Sequence, residues 1–152
     1  VRAVNSVGTS SASNVIASTT TLNVPPKIND LALGTATATT VPLTWTAPAS
    51  DSRAPISGYE IRYTVDGVPH ATVLTGGTTA GFTIGGGTGT PASEALAPGA
   101  TVTNIDVRAV NSVGTSSASN VIASTTTLNV PPKINDLALG TATATTVPLT
   151  WT

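Results

Sequence analysis

Internal repetition is the feature that most limits what this chain can fold into. Residues 1–46 recur letter for letter as residues 107–152, which sets a period of 106 residues. A unit of this length has the size of an independent domain, whereas solenoid repeats of about 20–50 residues share a core with their neighbours. The sequence therefore predicts tandem repeats of 106 residues, each a domain with its own hydrophobic core.

The repeat also predicts where the domains begin and end. We expect one complete domain over residues 24–128, the last two strands of a preceding repeat over residues 1–22, and the first two strands of a following repeat over residues 130–152. Both flanks lack the strands expected between residues 58 and 84, so neither can complete a core alone. We therefore expect the native polypeptide to continue at both ends.

Composition argues against several classes of function. Charged residues make up 9% of the chain and the formal net charge is −1, and the six basic residues are scattered rather than clustered. Nucleic acid and anionic membranes are bound by clustered Lys and Arg, so we expect neither as a partner, nor any membrane insertion within this segment. The chain has no cysteine, which excludes a disulfide framework and a thiolate metal site. A composition rich in Thr and Ser and poor in Lys and Glu is typical of secreted bacterial β-proteins, which predicts an extracellular or cell-surface location.

The hydrophobic pattern predicts an all-β fold. No apolar stripe with helical spacing persists, and short alternating runs are separated by turn residues. The predicted strands are 28–37, 41–46, 58–65, 71–75, 81–84, 102–110 and 117–124, with loops at 47–56 and 85–95, Gly-rich chain after 75, a tight turn at Asp66-Gly67 and a hairpin at 111–115. Seven short strands in about 100 residues predict a sandwich of two antiparallel sheets.

Five motifs at their spacing make the chain similar to fibronectin type III domains. They are Pro25-Pro26, Trp45, Gly58-Tyr59-Ile61-Tyr63, Leu96-Pro98-Gly99 and Val107-Ala109-Asn111-Gly114. The resemblance covers about residues 24–128 and implies a seven-stranded immunoglobulin-like β-sandwich. Because the unit has few large aromatic residues, we expect Trp45, Tyr59, Tyr63 and Phe82 to fill most of the core.

Three departures from the family pattern lead to further expectations. Val102 stands where the family usually has the Tyr of its corner, with one extra residue before Val107, which predicts a bulge or an altered corner. The 85–95 loop is longer than the corresponding step in the family. Pro42 has no N–H to donate, which predicts that the second strand starts late or bulges there.

We expect no catalytic, cofactor-binding or metal-binding residue in this chain, and hence no enzyme. His70 follows a turn and no G-x-S-x-G elbow is present, so it is expected to be a solvated surface histidine. The run Gly85 to Gly89 lacks the Lys-Ser/Thr pair and the helix of a phosphate cradle and predicts a flexible loop. The acidic residues lack the spacing of a calcium loop, although a weak interdomain calcium site at Asp30 or Asp51 stays open. The 111–115 hairpin has no Arg-Gly-Asp, the integrin motif that some members of the family carry there.

Two functions are compatible with these observations. The first is a structural repeat unit of an extracellular fibre, filament or adhesin stalk that acts by domain stacking and lateral self-association. The 85–95 loop and the Thr-rich faces are the candidate lateral contacts, and Pro131-Pro132 should stiffen the step between domains. The alternative is an accessory or carbohydrate-binding spacer module of a secreted polysaccharide-degrading enzyme. Such modules present exposed aromatic rings to sugars, and here the aromatic residues are assigned to the core.

Overall fold

Seven strands form two antiparallel sheets that enclose one hydrophobic core, and two further strands near the C-terminus form a separate two-stranded sheet. The computed structural model describes residues 1–51, 53–75 and 80–152; Ser52 of the 47–56 loop and residues 76–79 of the Gly-rich chain lie outside the described residues. The strands are β1 (Ala32–Leu33), β2 (Val41–Thr44), β3 (Gly58–Val65), β4 (Val68–Thr75), β5 (Gly81–Ile84), β6 (Thr101–Val110), β7 (Ile122–Thr126), β8 (Ala138–Leu139) and β9 (Leu149–Thr150). The described residues contain no helix.

Strand order confirms the predicted sandwich. One sheet has the order β1-β2-β5 and the other β4-β3-β6-β7, and every neighbouring pair is antiparallel. Strands β1 to β7 are the seven predicted strands of the complete unit. Among the described residues no helix is long and apolar enough to cross a membrane.

The core is built by alternation along the strands of both sheets. In a strand, every second side chain points to the same face. The inward positions carry the buried apolar residues Val41, Leu43, Trp45, Tyr59, Ile61, Tyr63, Phe82, Ile84, Val102, Ile105, Val107 and Ala109, joined by Ile28, Leu31, Leu96 and Ala100 from the connecting segments. All four aromatic residues assigned to the core are buried, and the ring of Trp45 packs edge-on against Tyr59 with centroids 5.1 Å apart.

The β3–β4 hairpin and strand β5 form as the sequence predicts. β3 and β5 have the predicted bounds, and Asp66 and Gly67 both adopt positive φ, 47° and 86°, as the two central residues of a tight hairpin turn of this type do. β4 begins at Val68, earlier than the predicted Ala71, because the hairpin register continues without a break from Val65↔Val68 to Gly58↔Thr75.

The bulge expected near Val102 is present. The register between β3 and β6 shifts between Arg62, which faces Asp106, and Thr64, which faces Thr103. Asn104 adopts a φ of 52° at this point. The extra residue is thereby absorbed, so Val102 and Ile105 both point into the core on either side of the bulge.

The expectation for Pro42 is wrong. β2 runs through Pro42 in continuous register with β5, from Val41↔Ile84 to Thr44↔Gly81, without a late start or a bulge. The carbonyl of Pro42 accepts a hydrogen bond from Gly34 N at 2.9 Å, so its imino nitrogen faces the same side, toward Gly34. Proline cannot donate the reciprocal hydrogen bond of this pair, and β1 ends one residue earlier, at Leu33.

β1 starts later than the predicted residue 28, and at Leu31 a side chain takes the place of a strand partner. Asn120 Oδ1 accepts from Leu31 N at 2.9 Å, and Asn120 Nδ2 donates to Leu31 O at 2.8 Å. This amide joins the segment before β1 to the segment before β7, across the open edge between the two sheets. Leu31 and Ile28 stay buried although neither lies in a strand.

β7 starts at Ile122 rather than at the predicted Ser117 for a related reason. Two buried serine hydroxyls accept from the backbone of β6: Ser116 Oγ from Ala109 N and Ser119 Oγ from Val107 N, each at 3.0 Å. Their own N–H groups donate to the carbonyls of the same two β6 residues. The segment 116–120 thus satisfies β6 without forming a regular strand.

The two flanks repeat the local geometry of the matching parts of the complete unit. Asn5 N donates to Gly8 O as Asn111 N does to Gly114 O, and Gly140 N donates to Pro148 O as Gly34 N does to Pro42 O. β8 pairs with β9 in the register of β1 with β2. Burial differs: Trp45 is 5% exposed in the complete unit, whereas its counterpart Trp151 is 58% exposed.

Candidate functional site

The 85–95 loop is folded onto the sandwich by backbone hydrogen bonds. Thr90 and Val73 exchange both backbone hydrogen bonds, which covers part of the outer edge of β4, and Gly87 N donates to Ser93 O at 2.7 Å. Ser93 is 2% exposed. Glycine permits positive φ, and Gly85, Gly87 and Gly89 all adopt it in this loop.

Ser93 holds the loop by accepting two hydrogen bonds. Its Oγ accepts from Tyr63 OH at 3.1 Å and from Gly85 N at 2.7 Å, and both donors lie in the buried space between the sheets. The hydroxyl therefore serves as the polar centre of the packed loop. Nothing in the local sequence marked this serine among the many others of the chain.

We expect Ser93→Ala to lower the free energy of unfolding by about 1–3 kcal/mol, because it leaves two buried donors without their acceptor. Urea unfolding followed by tryptophan fluorescence measures the loss. Glu94→Ala is the matched control, since Glu94 is the exposed neighbour in the same loop and should change stability by less than about 0.5 kcal/mol. Equal effects of the two substitutions would contradict the role of Ser93.

The folded loop and the β3–β4 hairpin enclose a groove of about 540 Å³. His70 lies on its wall, exposed as predicted, with its ring stacked on Tyr63 at 5.3 Å and an interplanar angle of 9°. Asp66 and Glu94 line the same groove. Among the described residues no group of three or more His, Cys, Asp or Glu side chains could hold a metal ion.

The two aspartates considered for calcium already have partners within the chain. Both carboxylate oxygens of Asp30 accept from Thr46 N, at 3.0 and 3.1 Å. Asp51 accepts from Arg53 through the guanidinium, at 2.7 Å, and through its backbone N–H, at 2.9 Å. Hydrogen bonds from the side chain and the backbone of Thr46 lower the pKa of Asp30, and those from Arg53 lower the pKa of Asp51. These carboxylates tie the end of β2 and the 47–56 loop in place.

Acid should weaken the complete unit through Asp30. Because folding lowers the pKa of this carboxyl below 3.8, its contribution is present above that pH and is lost as the pH falls through the lower folded pKa. We therefore expect the midpoint temperature of thermal unfolding to decrease as the pH is lowered below 3.8, and to decrease less steeply in Asp30→Asn. Asp136→Asn is the control, because Asp136 makes the same bond to Thr152 in a flank without a core. A pH dependence unchanged by Asp30→Asn would contradict the prediction.

The open edges and exposed faces carry few charges. β7 is the outer strand of its sheet, and its exposed positions are Ala123, Ser124 and Thr126. The opposite edge strand, β4, is partly covered by Thr90 of the 85–95 loop. β7 is therefore the more open of these two edges, a role that the alternation pattern alone did not indicate.

A model of the fibronectin type III domain family matches residues 24–125. No curated protein matches the chain. Among solved structures, one described as "Myokine structure" is similar with a TM-score of 0.53 and 16% identity, covering 69% of this chain and 99% of that one. A titin fragment has a TM-score of 0.52 and 21% identity, and the FN1–FN3 domains of chicken CNTN1 have 0.51 and 18%. Each of these two covers 70% of this chain, which spans about a third of theirs. At these identities the likeness shows the fold.

Proposed function

Because the chain belongs to the fibronectin type III domain family, a structural and adhesion-type module common in extracellular proteins, we propose that it is the repeat unit of an extracellular fibre, filament or adhesin stalk. The observation that carries this proposal is the identity of residues 1–46 with 107–152. Residues that bury their side chains in the complete unit are exposed in the flanks, as Trp45 and Trp151 are. This contrast supports a repeat whose core needs all seven strands.

The surface composition supports a role in which identical units associate with one another. A formal net charge of −1 and 9% charged residues leave little electrostatic repulsion between copies of the unit. An edge strand with unpaired backbone groups and no charged side chain is a template for pairing with another chain. We propose that β7 and the adjoining Thr-rich faces make the lateral contacts between chains, outside the cell or at the cell surface.

Electron microscopy of chains with several complete periods tests this function. We expect rods that lengthen by a constant increment with each period and that associate side by side. Ser124→Lys in every period should block the association, because a charge on an edge strand opposes pairing. Ser117→Lys is the control, since Ser117 is exposed but outside the strands.

Two results would overturn the proposal. The first is a set of rods that stay single at all concentrations. The second is a monomer that is retained by insoluble polysaccharide, which would favour the carbohydrate-binding alternative. Against that alternative stands the burial of Trp45, Tyr59, Tyr63 and Phe82 in the complete unit, which leaves their rings unavailable to sugars.

A further inference from the structure

The chain contains the step from one repeat to the next twice, as residues 18–26 and as residues 124–132, with the same sequence. Both copies contact the same complete unit, residues 24–128. The first copy is the chain that enters this unit, and the second is the chain that leaves it. Each copy therefore shows one half of the contacts of a single junction. Position 22 corresponds to 128, 23 to 129 and 24 to 130.

The first copy shows how a unit holds the chain that enters it. Asn111, 7% exposed, donates from Nδ2 to Asn23 O at 2.8 Å and to Ala54 O at 3.3 Å. Gly114 approaches Val24 so closely that a Cβ on this glycine would lie 3.1 Å from Val24 Cγ1. We call this end of the sandwich, formed by the 47–56 loop and the 111–115 hairpin, the N-terminal pole.

A second contact at the N-terminal pole reaches back further along the chain. Arg53, whose guanidinium is held by Asp51, donates to Thr20 Oγ1 at 3.2 Å and to Thr20 O at 3.4 Å. Thr20 corresponds to Thr126, the last residue of β7. In a chain of complete units this contact joins the 47–56 loop of one unit to β7 of the unit before it.

The second copy shows how a unit holds the chain that leaves it. Thr127 N donates to Ala100 O at 3.0 Å, Leu128 N donates to Thr37 O at 2.9 Å, and Leu128 O accepts from Gly99 N at 3.1 Å. The side chain of Asn129 lies directly over Gly99, where a Cβ would come within 2.9 Å of the amide. We call this end of the sandwich, where Thr37, Gly99 and Ala100 contact residues 127–129, the C-terminal pole.

The two halves meet without a gap. Backbone hydrogen bonds with the preceding unit end at position 128. Contacts with the following unit begin at position 126, the counterpart of Thr20, and continue at position 129, the counterpart of Asn23, so the two sets of contacts overlap. We propose that successive units are joined directly end to end, with the next copy of the repeat as the partner of each pole and no unanchored linker residue between them. This inference rests on the proposed tandem function, and it assigns Asn111 and Gly99 to the joint.

Asn111 is suited to this role because its two amide atoms act separately. Its Oδ1 accepts from Val113 N at 2.9 Å and Gly114 N at 3.1 Å, which shapes the hairpin, while Nδ2 holds the incoming chain. Asn5 makes the same two hairpin bonds in the flank, to Val7 N and Gly8 N. An Asn→Asp change at either position keeps the acceptor and removes the donor.

The first test uses the 152-residue chain and ¹⁵N relaxation by NMR. We expect the amides of Asn23 and Val24 to be as ordered as those of β6 in the unaltered chain and in Asn5→Asp, and to become mobile in Asn111→Asp. Retained shift dispersion for β3 and β6 shows that the Asn111→Asp variant is folded. Mobile amides at 23 and 24 in the unaltered chain, or no change in Asn111→Asp, overturn the proposal.

A second test substitutes no residue at either pole, so it can be carried out even if the Asn111→Asp variant fails to fold. The chain is extended beyond Thr152 with the sequence of residues 47–128, which gives two complete units, and residual dipolar couplings report their relative orientation. We expect one common alignment tensor, and two different tensors after Gly-Ser-Gly-Ser is inserted between Leu128 and Asn129. Two independent tensors without the insertion overturn the direct joint.

These outcomes separate the joint from the proposed function. Rigid pairs that never associate laterally support the joint and contradict the fibre. Filaments formed by chains whose units tumble independently contradict the direct joint but leave the proposed fibre function in place.

Discussion

Replacing Trp45 by alanine should lower the free energy of unfolding of the complete unit by about 3–5 kcal/mol, the range for removing a buried tryptophan. Trp45 is 5% exposed and packs edge-on against Tyr59 between the two sheets. The unit has only four large aromatic side chains in its core, and the surrounding strands cannot close over a cavity of this size without breaking their register. Aromatic contact with Tyr59 adds to the loss.

Trp151→Ala is the internal control for this experiment. The residue, its neighbours and the local strand pairing are the same, but Trp151 is 58% exposed in a flank that has no core. We expect its replacement to change stability by less than about 0.5 kcal/mol. Urea unfolding followed by circular dichroism measures both variants. Similar losses at the two positions would mean that the flank also folds around its tryptophan.

The parts of the fold that the sequence predicts well are those with strict alternation. β3 has apolar residues at every second position and a tight turn after it, and its bounds agree with the structure. The bulge at Asn104 was also predictable, because a single extra residue between two inward positions must leave the ladder. The first prediction rests on the alternation of apolar residues, and the second on the one extra residue before Val107 relative to the family pattern.

The errors occur where polar side chains replace backbone partners. Asn120 takes over the hydrogen bonds of Leu31, and Ser116 and Ser119 take over those of β6, so β1 and β7 start later than predicted. A serine or asparagine whose side chain replaces a backbone hydrogen-bond partner cannot be recognised from the sequence of a chain that is rich in both residue types. The contacts at the two poles were missed for a similar reason, since their acceptors are backbone carbonyls that any residue could supply.

The 85–95 loop shows that a glycine-rich composition does not specify the backbone conformation. Gly85 has a φ of 84° and lies against the carbonyl of Thr39, which accepts from Leu96 N at 2.9 Å. The absence of a side chain here allows the backbone to pass this close to Thr39. Gly87, two residues later, has a φ of 72° and nothing within 4 Å of the place where a Cβ would lie.

This pair gives the second large effect. Both Gly85→Ala and Gly87→Ala should lose about 1–2 kcal/mol from the left-handed backbone conformation. Gly85→Ala should lose a further 1–3 kcal/mol or so, because its methyl group would displace the turn at Thr39 and the hydrogen bond to Leu96. Thermal and urea unfolding of the two variants give the difference directly, since the backbone contribution is shared. If Gly85→Ala is no less stable than Gly87→Ala, the close approach of Gly85 to Thr39 does not contribute to the stability of the unit, and the prediction is wrong.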